Sequence, residues 1–250
     1  MALRRRDILG SAVVLLAVFG IPPLWRRAFP SFDFVPLDGF PGFRKLDQGP
    51  VSSGPVALIG LDAPDPSIAA ERAELLQAPC AALYEDHKPE DGLPIAVFSD
   101  YNCPYCFVLS ERLIRLEESG APIRLVWYEL PLLGDRSDRS AKAALAAAEQ
   151  GQYIAAHRYL MRKVLPPGPF GLRQMAQELD LDPDKLLRDV GGEPVASSLR
   201  KSKALASALG VIGTPATVIG RTLVLGSISA TNLDQLIALE AQDGPFRCLN

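Results

Sequence analysis

Cysteine and histidine, on which most metal and redox sites depend, are scarce in this chain. Among 250 residues there are four cysteines and two histidines. Four cysteines are too few for a fold that depends on a disulfide framework, so any special role belongs to individual cysteines. Basic residues are not in excess either, since the formal net charge is −3. Because a nucleic-acid partner needs an excess of positive charge, we expect none.

The first 27 residues predict export with attachment to a membrane. Three arginines at positions 4–6 precede an uncharged run, residues 8–25, which is close to the length that crosses a hydrocarbon core. Pro22 and Pro23 stand where a small-residue cleavage site would be expected, so an uncleaved signal-anchor is favoured over a removed signal peptide. The arginines would place the rest of the chain on the periplasmic side of the inner membrane. They also resemble a twin-arginine export signal. A buried helix of a cytosolic protein is the alternative.

Residues 28–90 predict a proline-rich tether followed by a helix. Prolines interrupt the chain repeatedly up to Pro66, which disfavours regular helix and central strands. Two short extended pieces, 43–46 and 56–61, could still pair at a sheet edge. An amphipathic helix is predicted from residue 67 to about residue 84, with Ser67 as its N-cap and Cys80 on or near it.

The remainder predicts an α/β fold in one domain, residues 91–242, followed by a tail, 243–250. An apolar run, an amphipathic helix and a β-rich run occur in that order, which implies a parallel crossover. A helical insertion follows at about 135–205, and the chain then returns to two strands around Gly220-Arg221 and a last helix. The predicted strands are 93–99, 123–130, 216–219 and 223–225. The predicted helices are 109–119, 141–150, 153–164, 172–179, 183–190, 194–209 and 229–241.

The stretch Cys103-Pro104-Tyr105-Cys106 lies between the first strand and its helix. A zinc knuckle would need two more ligands at regular spacing, and neither the other two cysteines nor His87 and His157 supply them. We therefore predict no metal. A purely structural disulfide is also disfavoured, because bridging four adjacent residues removes little loop entropy. The third role, redox exchange, fits the position between strand and helix.

The redox hypothesis gives each cysteine its own role. With Cys103 as N-cap and Pro104 in the first turn, the unpaired backbone N–H groups face the Cys103 sulfur. We expect them to lower its pKa below the free value of about 8.5. Cys103 should be exposed to incoming polypeptides, and Cys106, one turn later and less exposed, should resolve the mixed disulfide.

A second motif, Gly213-Thr214-Pro215, opens the third strand. By itself it could be an ordinary trans turn proline before an edge strand. Together with the CPYC stretch it resembles the thioredoxin superfamily. The helical insertion and the string FSDYNCPYC narrow the resemblance to the DsbA-like thiol-disulfide oxidoreductases, over residues 93–239. The fold implied is thioredoxin-like with a helical insertion, preceded by an N-terminal anchor or signal.

This resemblance implies roles for single residues. Cys103 and Cys106 match the catalytic, redox-active pair. Pro215 would be a cis-proline beside the disulfide, and Thr214 would offer its backbone groups to an extended substrate peptide. No cofactor is implied, and the implied partners are exported proteins with thiols or disulfides and an unidentified membrane redox partner. The implied substrate-binding residues are Thr214, Pro215, Pro104 and Tyr105.

The sequence departs from the family pattern at two positions. Tyr105 stands where strongly oxidising relatives have histidine, which indicates a milder oxidant. Val97 stands where some relatives bury an acidic residue that shuttles protons, so that role has no matching carboxylate. Asp100 is a candidate for the role, although its position in the loop before Cys103 favours capping or solvating that loop. Outside the pair, Cys80 and Cys248 either pack as small apolar residues or form a structural disulfide.

Three alternatives to an oxidant stay open. The first is a disulfide reductase or isomerase, for example in cytochrome or copper-site assembly. It is favoured because reducing and isomerising relatives also have threonine before the cis-proline. A metal-handling module would normally add a histidine near the strand. An inactive interaction domain is disfavoured by two intact cysteines.

Overall fold

The computed structural model describes residues 32–47, 49–54, 66–85, 87–242, 244 and 246–248. The chain divides into two compact units, Met1–Phe34 and Val35–Asn250. The predicted signal-anchor, 1–27, and the predicted strand 56–61 lie outside the described residues. Within the described ranges, no helix is both long and apolar enough to cross a membrane.

The second unit contains one mixed sheet of six strands. Its spatial order is β1-β2-β6-β5-β3-β4. Strand β3 runs parallel to β4 and antiparallel to β5, and β6 runs antiparallel to β5 and parallel to β2. Every residue of β3 is buried, which explains why its sequence is continuously apolar and does not alternate. The strands are β1 Val35–Pro36, β2 Arg44–Asp47, β3 Leu93–Ser99, β4 Ile123–Glu129, β5 Ala216–Ile219 and β6 Thr222–Leu225.

Nine α-helices lie in the described part of the chain. The first two precede β3, α3 follows it, the next five form the insertion, and α9 follows β6. They are α1 Pro66–Leu75, α2 Pro79–Tyr84, α3 Pro104–Glu118, α4 Asp135–Ala148, α5 Tyr153–Arg162, α6 Gly168–Glu178, α7 Pro183–Asp189, α8 Glu193–Leu209 and α9 Ala230–Ala241.

The thioredoxin-like fold with a helical insertion is confirmed. The β3–α3–β4 crossover occurs where the sequence predicts it, and β3 and β4 pair over their whole length. The β5–β6 hairpin turns at Gly220, whose φ is +54°, a conformation that favours glycine. The insertion has an apolar core of its own, in which alanines of α4 pack near Met175 and Leu186.

The predicted helix 67–84 is wrong as a single element. The chain forms two helices instead, and the second begins at Pro79, where the ring removes a backbone N–H donor and disfavours the preceding residue in helical conformation. Ser67 lies inside the first turn of α1 and is not its N-cap, and α1 has no fully buried residue. The predicted extended piece 43–46 forms β2, one residue further along, but β2 lies between β1 and β6 and not at the sheet edge.

Candidate active site

The two cysteines of the CPYC stretch lie at the beginning of α3. Cys103 is the N-cap, in extended conformation with φ −85° and ψ 114°, and Pro104 is the first helical residue. The backbone N–H of Cys106 donates to the Cys103 carbonyl over 3.1 Å. Both cysteines are free thiols. The predicted N-cap position of Cys103 is therefore confirmed.

The Thr214–Pro215 peptide bond is cis, as the resemblance implies. The Cys103 thiol donates to the Thr214 carbonyl oxygen at 3.3 Å, across 111 residues of sequence. The fold achieves this because β5, which begins directly after Pro215, is the antiparallel neighbour of β3. The two sequence motifs thus meet at one end of the central strands.

The two thiols have opposite pKa shifts. The pKa of Cys103 falls to about 6, chiefly because the Cys106 side chain hydrogen bonds to its sulfur. Burial of Cys103 raises this pKa, whereas the Ser52 side chain and the Cys106 backbone N–H lower it further. The pKa of Cys106 is raised, first by burial and then by its hydrogen bond to Cys103. The predicted direction for Cys103 is confirmed. Its main cause is the neighbouring thiol, whereas the sequence had pointed to the helix N-terminus.

The expected exposure of Cys103 is wrong for this structure. Its exposed fraction is 2%, against 1% for Cys106. The next two residues, Pro104 and Tyr105, are exposed, so the helix end itself reaches the surface. From another part of the chain, Ser52 forms a backbone bridge to Thr214, whose carbonyl also accepts the Cys103 thiol. Sequence reasoning missed Ser52, because nothing in its local pattern indicates which backbone it pairs with.

Asp100 anchors the loop before Cys103. One carboxylate oxygen accepts from the Asn102 backbone N–H at 2.7 Å and from the Ser137 hydroxyl at 2.6 Å. The other accepts from the backbone N–H groups of Leu132 and Leu133 at 2.7 and 3.1 Å. With both oxygens engaged, Asp100 holds the loop against the start of the insertion, as its loop position predicts.

A buried polar cluster lies behind the same loop. Glu129, at the end of β4, accepts hydrogen bonds from the hydroxyls of Tyr101 at 2.5 Å and Tyr153 at 2.6 Å. His157 Nδ1 lies 3.1 Å from the Tyr101 hydroxyl. Burial, followed by the Glu129 charge, raises the pKa of Tyr101 well above its usual value. Sequence reasoning missed this cluster, which joins the loop before Cys103 to β4 and α5.

The other predicted positions are as follows. Val97 is buried on β3 and supplies no carboxylate. His157 is fully buried in the polar cluster, while His87 packs beside Phe246, with ring centroids 5.6 Å apart. Across the residues that the structure describes, no group of three or more metal-ligating side chains is placed to hold an ion.

The paired thiols, the cis-proline and the thioredoxin-like sheet define a thiol-disulfide oxidoreductase. The model of the DSBA-like thioredoxin domain matches residues 94–238, which is more than half of the chain. The chain therefore belongs to the DSBA-like thioredoxin domain family.

Two solved structures and one curated sequence show the range of its relatives. A thioredoxin-like oxidoreductase from Silicibacter pomeroyi is 35% identical with a TM-score of 0.59, over 66% of this chain and 98% of that one. A periplasmic thioredoxin-like protein from Salmonella enterica serovar Typhimurium is 28% identical with a TM-score of 0.55, over 65% and 95%. The Na(+)/H(+) antiporter NhaA 3 of Salinispora tropica is 30% identical over 128 residues, 50% of this chain and 20% of the antiporter. The chain thus spans about one fifth of the curated relatives it matches.

Proposed function

We propose that this protein exchanges disulfides with exported protein substrates through Cys103 and Cys106, on the periplasmic side of the inner membrane. The observation that carries the proposal is the contact between the Cys103 thiol and the Thr214 carbonyl, 3.3 Å apart beside a cis-proline. A sulfur with a lowered pKa is thereby placed next to backbone groups that can bind an extended peptide.

The exchange follows from the two pKa directions. In the oxidised protein, a substrate thiolate attacks the Cys103 sulfur, and the Cys103–Cys106 bond breaks. Cys106 leaves with the electron pair and takes up a proton, as its raised pKa favours. A second substrate thiolate then attacks the substrate sulfur of the mixed disulfide, and Cys103 leaves as the thiolate. The two substrate thiols lose two electrons and two protons. The protein gains both electrons and the proton on Cys106, and the second proton passes to solvent because Cys103 leaves as the thiolate.

The location rests on the N-terminal sequence and on one relative. Three arginines followed by the uncharged run 8–25 are typical of a signal-anchor,. The Salmonella relative, 28% identical, is described as periplasmic. We infer a single N-terminal anchor, exported substrates with thiols or disulfides, and a membrane redox partner that resets the pair.

One experiment tests the redox role. The purified protein is equilibrated in glutathione buffers of stepped ratio, and the redox state of the Cys103–Cys106 peptide is read by alkylation and mass spectrometry. We expect a potential of roughly −200 to −230 mV, because CPYC is also the active-site sequence of glutaredoxins. Oxidation of a reduced peptide should be lost in Cys103→Ser and retained in the matched control Cys80→Ala/Cys248→Ala. Retention of activity in Cys103→Ser would refute the proposal.

A second candidate function is a disulfide reductase or isomerase, and Thr214 before the cis-proline is the observation that favours it. The same titration separates the two directions of electron flow. A potential near the roughly −270 mV of thioredoxin would assign the protein to the reductases.

A further inference from the structure

The backbone groups that precede the cis-proline are already occupied by the chain's own N-terminal region. The Ser52 N–H donates to the Thr214 carbonyl at 2.7 Å, and the Thr214 N–H donates to the Ser52 carbonyl at 2.8 Å. This is an antiparallel bridge outside the regular strands. It uses both main-chain groups that Thr214 offers to an extended peptide.

Residues 49–54, here named the strap, fit closely against the loops on either side of this bridge. The Ser227 N–H donates to the Pro50 carbonyl at 3.1 Å. At Gly213, a β-carbon would lie 2.8 Å from the Ser52 carbonyl oxygen and 3.0 Å from the Val51 Cβ. At Gly226 it would collide with the Gly49 carbonyl. The strap can lie this close because the loops beneath it have glycine at the contact positions.

The strap also meets the Cys103 thiol at one backbone carbonyl. The Thr214 carbonyl accepts both the Ser52 N–H and the Cys103 thiol, so Ser52 and Cys103 share one acceptor. Cys103 is 2% exposed although the two residues after it are exposed. A protein substrate has to reach that sulfur, so the structure shows a state in which the approach is closed.

Resting on the proposed function, we infer that the strap is an intramolecular substrate mimic. It occupies the peptide-binding edge at Thr214 and places Ser52 where a substrate cysteine would lie. The strap therefore has to be displaced before a substrate can exchange its disulfide. The substrate class follows from the occupant. It is an extended polypeptide segment that pairs antiparallel with Thr214 and presents a cysteine at the Ser52 position. Serine is the oxygen counterpart of cysteine, and the Ser52 N–H and the Cys103 thiol donate to the same Thr214 carbonyl.

The first test replaces Ser52 with cysteine, so that the strap itself can form a disulfide with Cys103. Full-length Ser52→Cys/Cys106→Ala and its control are made in a Cys80→Ala/Cys248→Ala background, so that two thiols remain, and each is reduced and then oxidised with glutathione disulfide. Two protein thiols lose two electrons and two protons, and glutathione disulfide becomes two glutathione molecules. We expect a disulfide between positions 52 and 103 as the main product by mass spectrometry. In the control Ser53→Cys/Cys106→Ala the new side chain points to the other side of the extended segment, and glutathione adducts should dominate. Equal products in both variants would overturn the inference.

The second test opens the strap. Ser52→Pro removes the N–H that bonds to the Thr214 carbonyl, while Ser53→Pro keeps it. Losing one such bond should raise the rate of Cys103 alkylation by iodoacetamide roughly three- to tenfold. Peptide oxidation should rise with it, and Ser53→Pro should stay near wild type. Unchanged or slower alkylation in Ser52→Pro would contradict the inference.

The two tests separate this inference from the proposed function. If positions 52 and 103 cross-link but the wild type oxidises no peptide, the placement of Ser52 beside Cys103 is confirmed and the proposed function fails. If the wild type oxidises peptide while neither strap variant differs from its control, the proposed function stands and the substrate mimic is refuted.

Discussion

At the residue scale, the chemistry depends on the asymmetry between two thiols in one helical turn. Cys106 is buried and hydrogen bonded to Cys103, which raises its own pKa and lowers that of Cys103 to about 6. A thiol with a low pKa is the better leaving group in exchange. Cys103 is therefore suited to leave as a thiolate when a substrate is released. Cys106 is suited to stay protonated until it has to attack a mixed disulfide.

The pH dependence of this pair is the first prediction. Because the pKa of Cys103 falls from 9.0 to about 6 on folding, the thiolate stabilises the reduced protein fully above pH 9. That contribution is lost as the pH falls through about 6. Thiolate absorbance at 240 nm should show a midpoint near pH 6 in wild type, no such midpoint in Cys103→Ser, and a higher midpoint in Cys106→Ala. A wild-type midpoint near 9 would contradict this account.

At the element scale, Glu129 connects three pieces of chain that hold the active-site loop. Its buried carboxylate accepts from Tyr101, in the loop before Cys103, and from Tyr153, at the start of α5. A buried hydroxyl without an acceptor costs about 1–3 kcal/mol, which is more than the bond itself contributes. The cluster therefore stabilises β4, the loop and α5 together.

Replacing Glu129 is the second prediction. Glu129→Leu leaves two hydroxyls without their acceptor and should lower the free energy of unfolding by roughly 2–4 kcal/mol in urea titrations. Glu129→Gln keeps an acceptor oxygen and should cost less. The triple variant Tyr101→Phe/Glu129→Leu/Tyr153→Phe removes the stranded hydroxyls and should recover part of the loss. A Glu129→Leu variant as stable as the exposed control Glu149→Leu would refute the role of the cluster.

At the scale of the whole molecule, a disulfide joins the segment between β2 and β3 to the C-terminal segment. Cys80 in α2 bonds to Cys248 across 168 residues of sequence. Beside it, the Tyr84 hydroxyl donates to the Val218 and Gly220 carbonyls at 3.1 and 2.6 Å. The Tyr84 ring packs edge-on against Phe246, with centroids 5.3 Å apart. The bridge thus joins α2 to the C-terminal segment close to β5.

Loss of this bridge is the third prediction. A long closed loop removes much entropy from the unfolded chain, so Cys80→Ala/Cys248→Ala should lose about 2–4 kcal/mol of unfolding free energy. The comparison is made in a Cys103→Ser/Cys106→Ser background, so that reductant acts on one disulfide. Reduction of the parent should then reproduce the loss. Equal stability of bridged and unbridged protein would show that the bridge is not structural.

The sequence predicts this molecule well where the signal is local. The strand 93–99 is predicted by a continuous apolar run, and the helix after Cys103 is predicted by apolar periodicity and a proline in its first turn. The structure has both the strand and the helix. The boundary at Pro79 was missed because apolar residues continue across it. The bridge from Ser52 to Thr214 and the cluster at Glu129 join residues far apart in sequence. Such contacts depend on how the sheet assembles, which no local pattern records. For the same reason the sequence does not decide whether Cys80 and Cys248 pair.

Trapping the mixed disulfide tests most directly that Cys103 is the exchanging atom. Cys106→Ala cannot resolve an adduct. With Cys103 reduced and the Cys80–Cys248 disulfide intact, it is mixed with an extended peptide containing one activated cysteine disulfide, and the adduct is mapped by mass spectrometry. The account predicts one peptide per chain, on Cys103, formed faster as the pH rises through about 6. No adduct on Cys103, or an equal yield from Cys103→Ala with Cys106 intact, would contradict it.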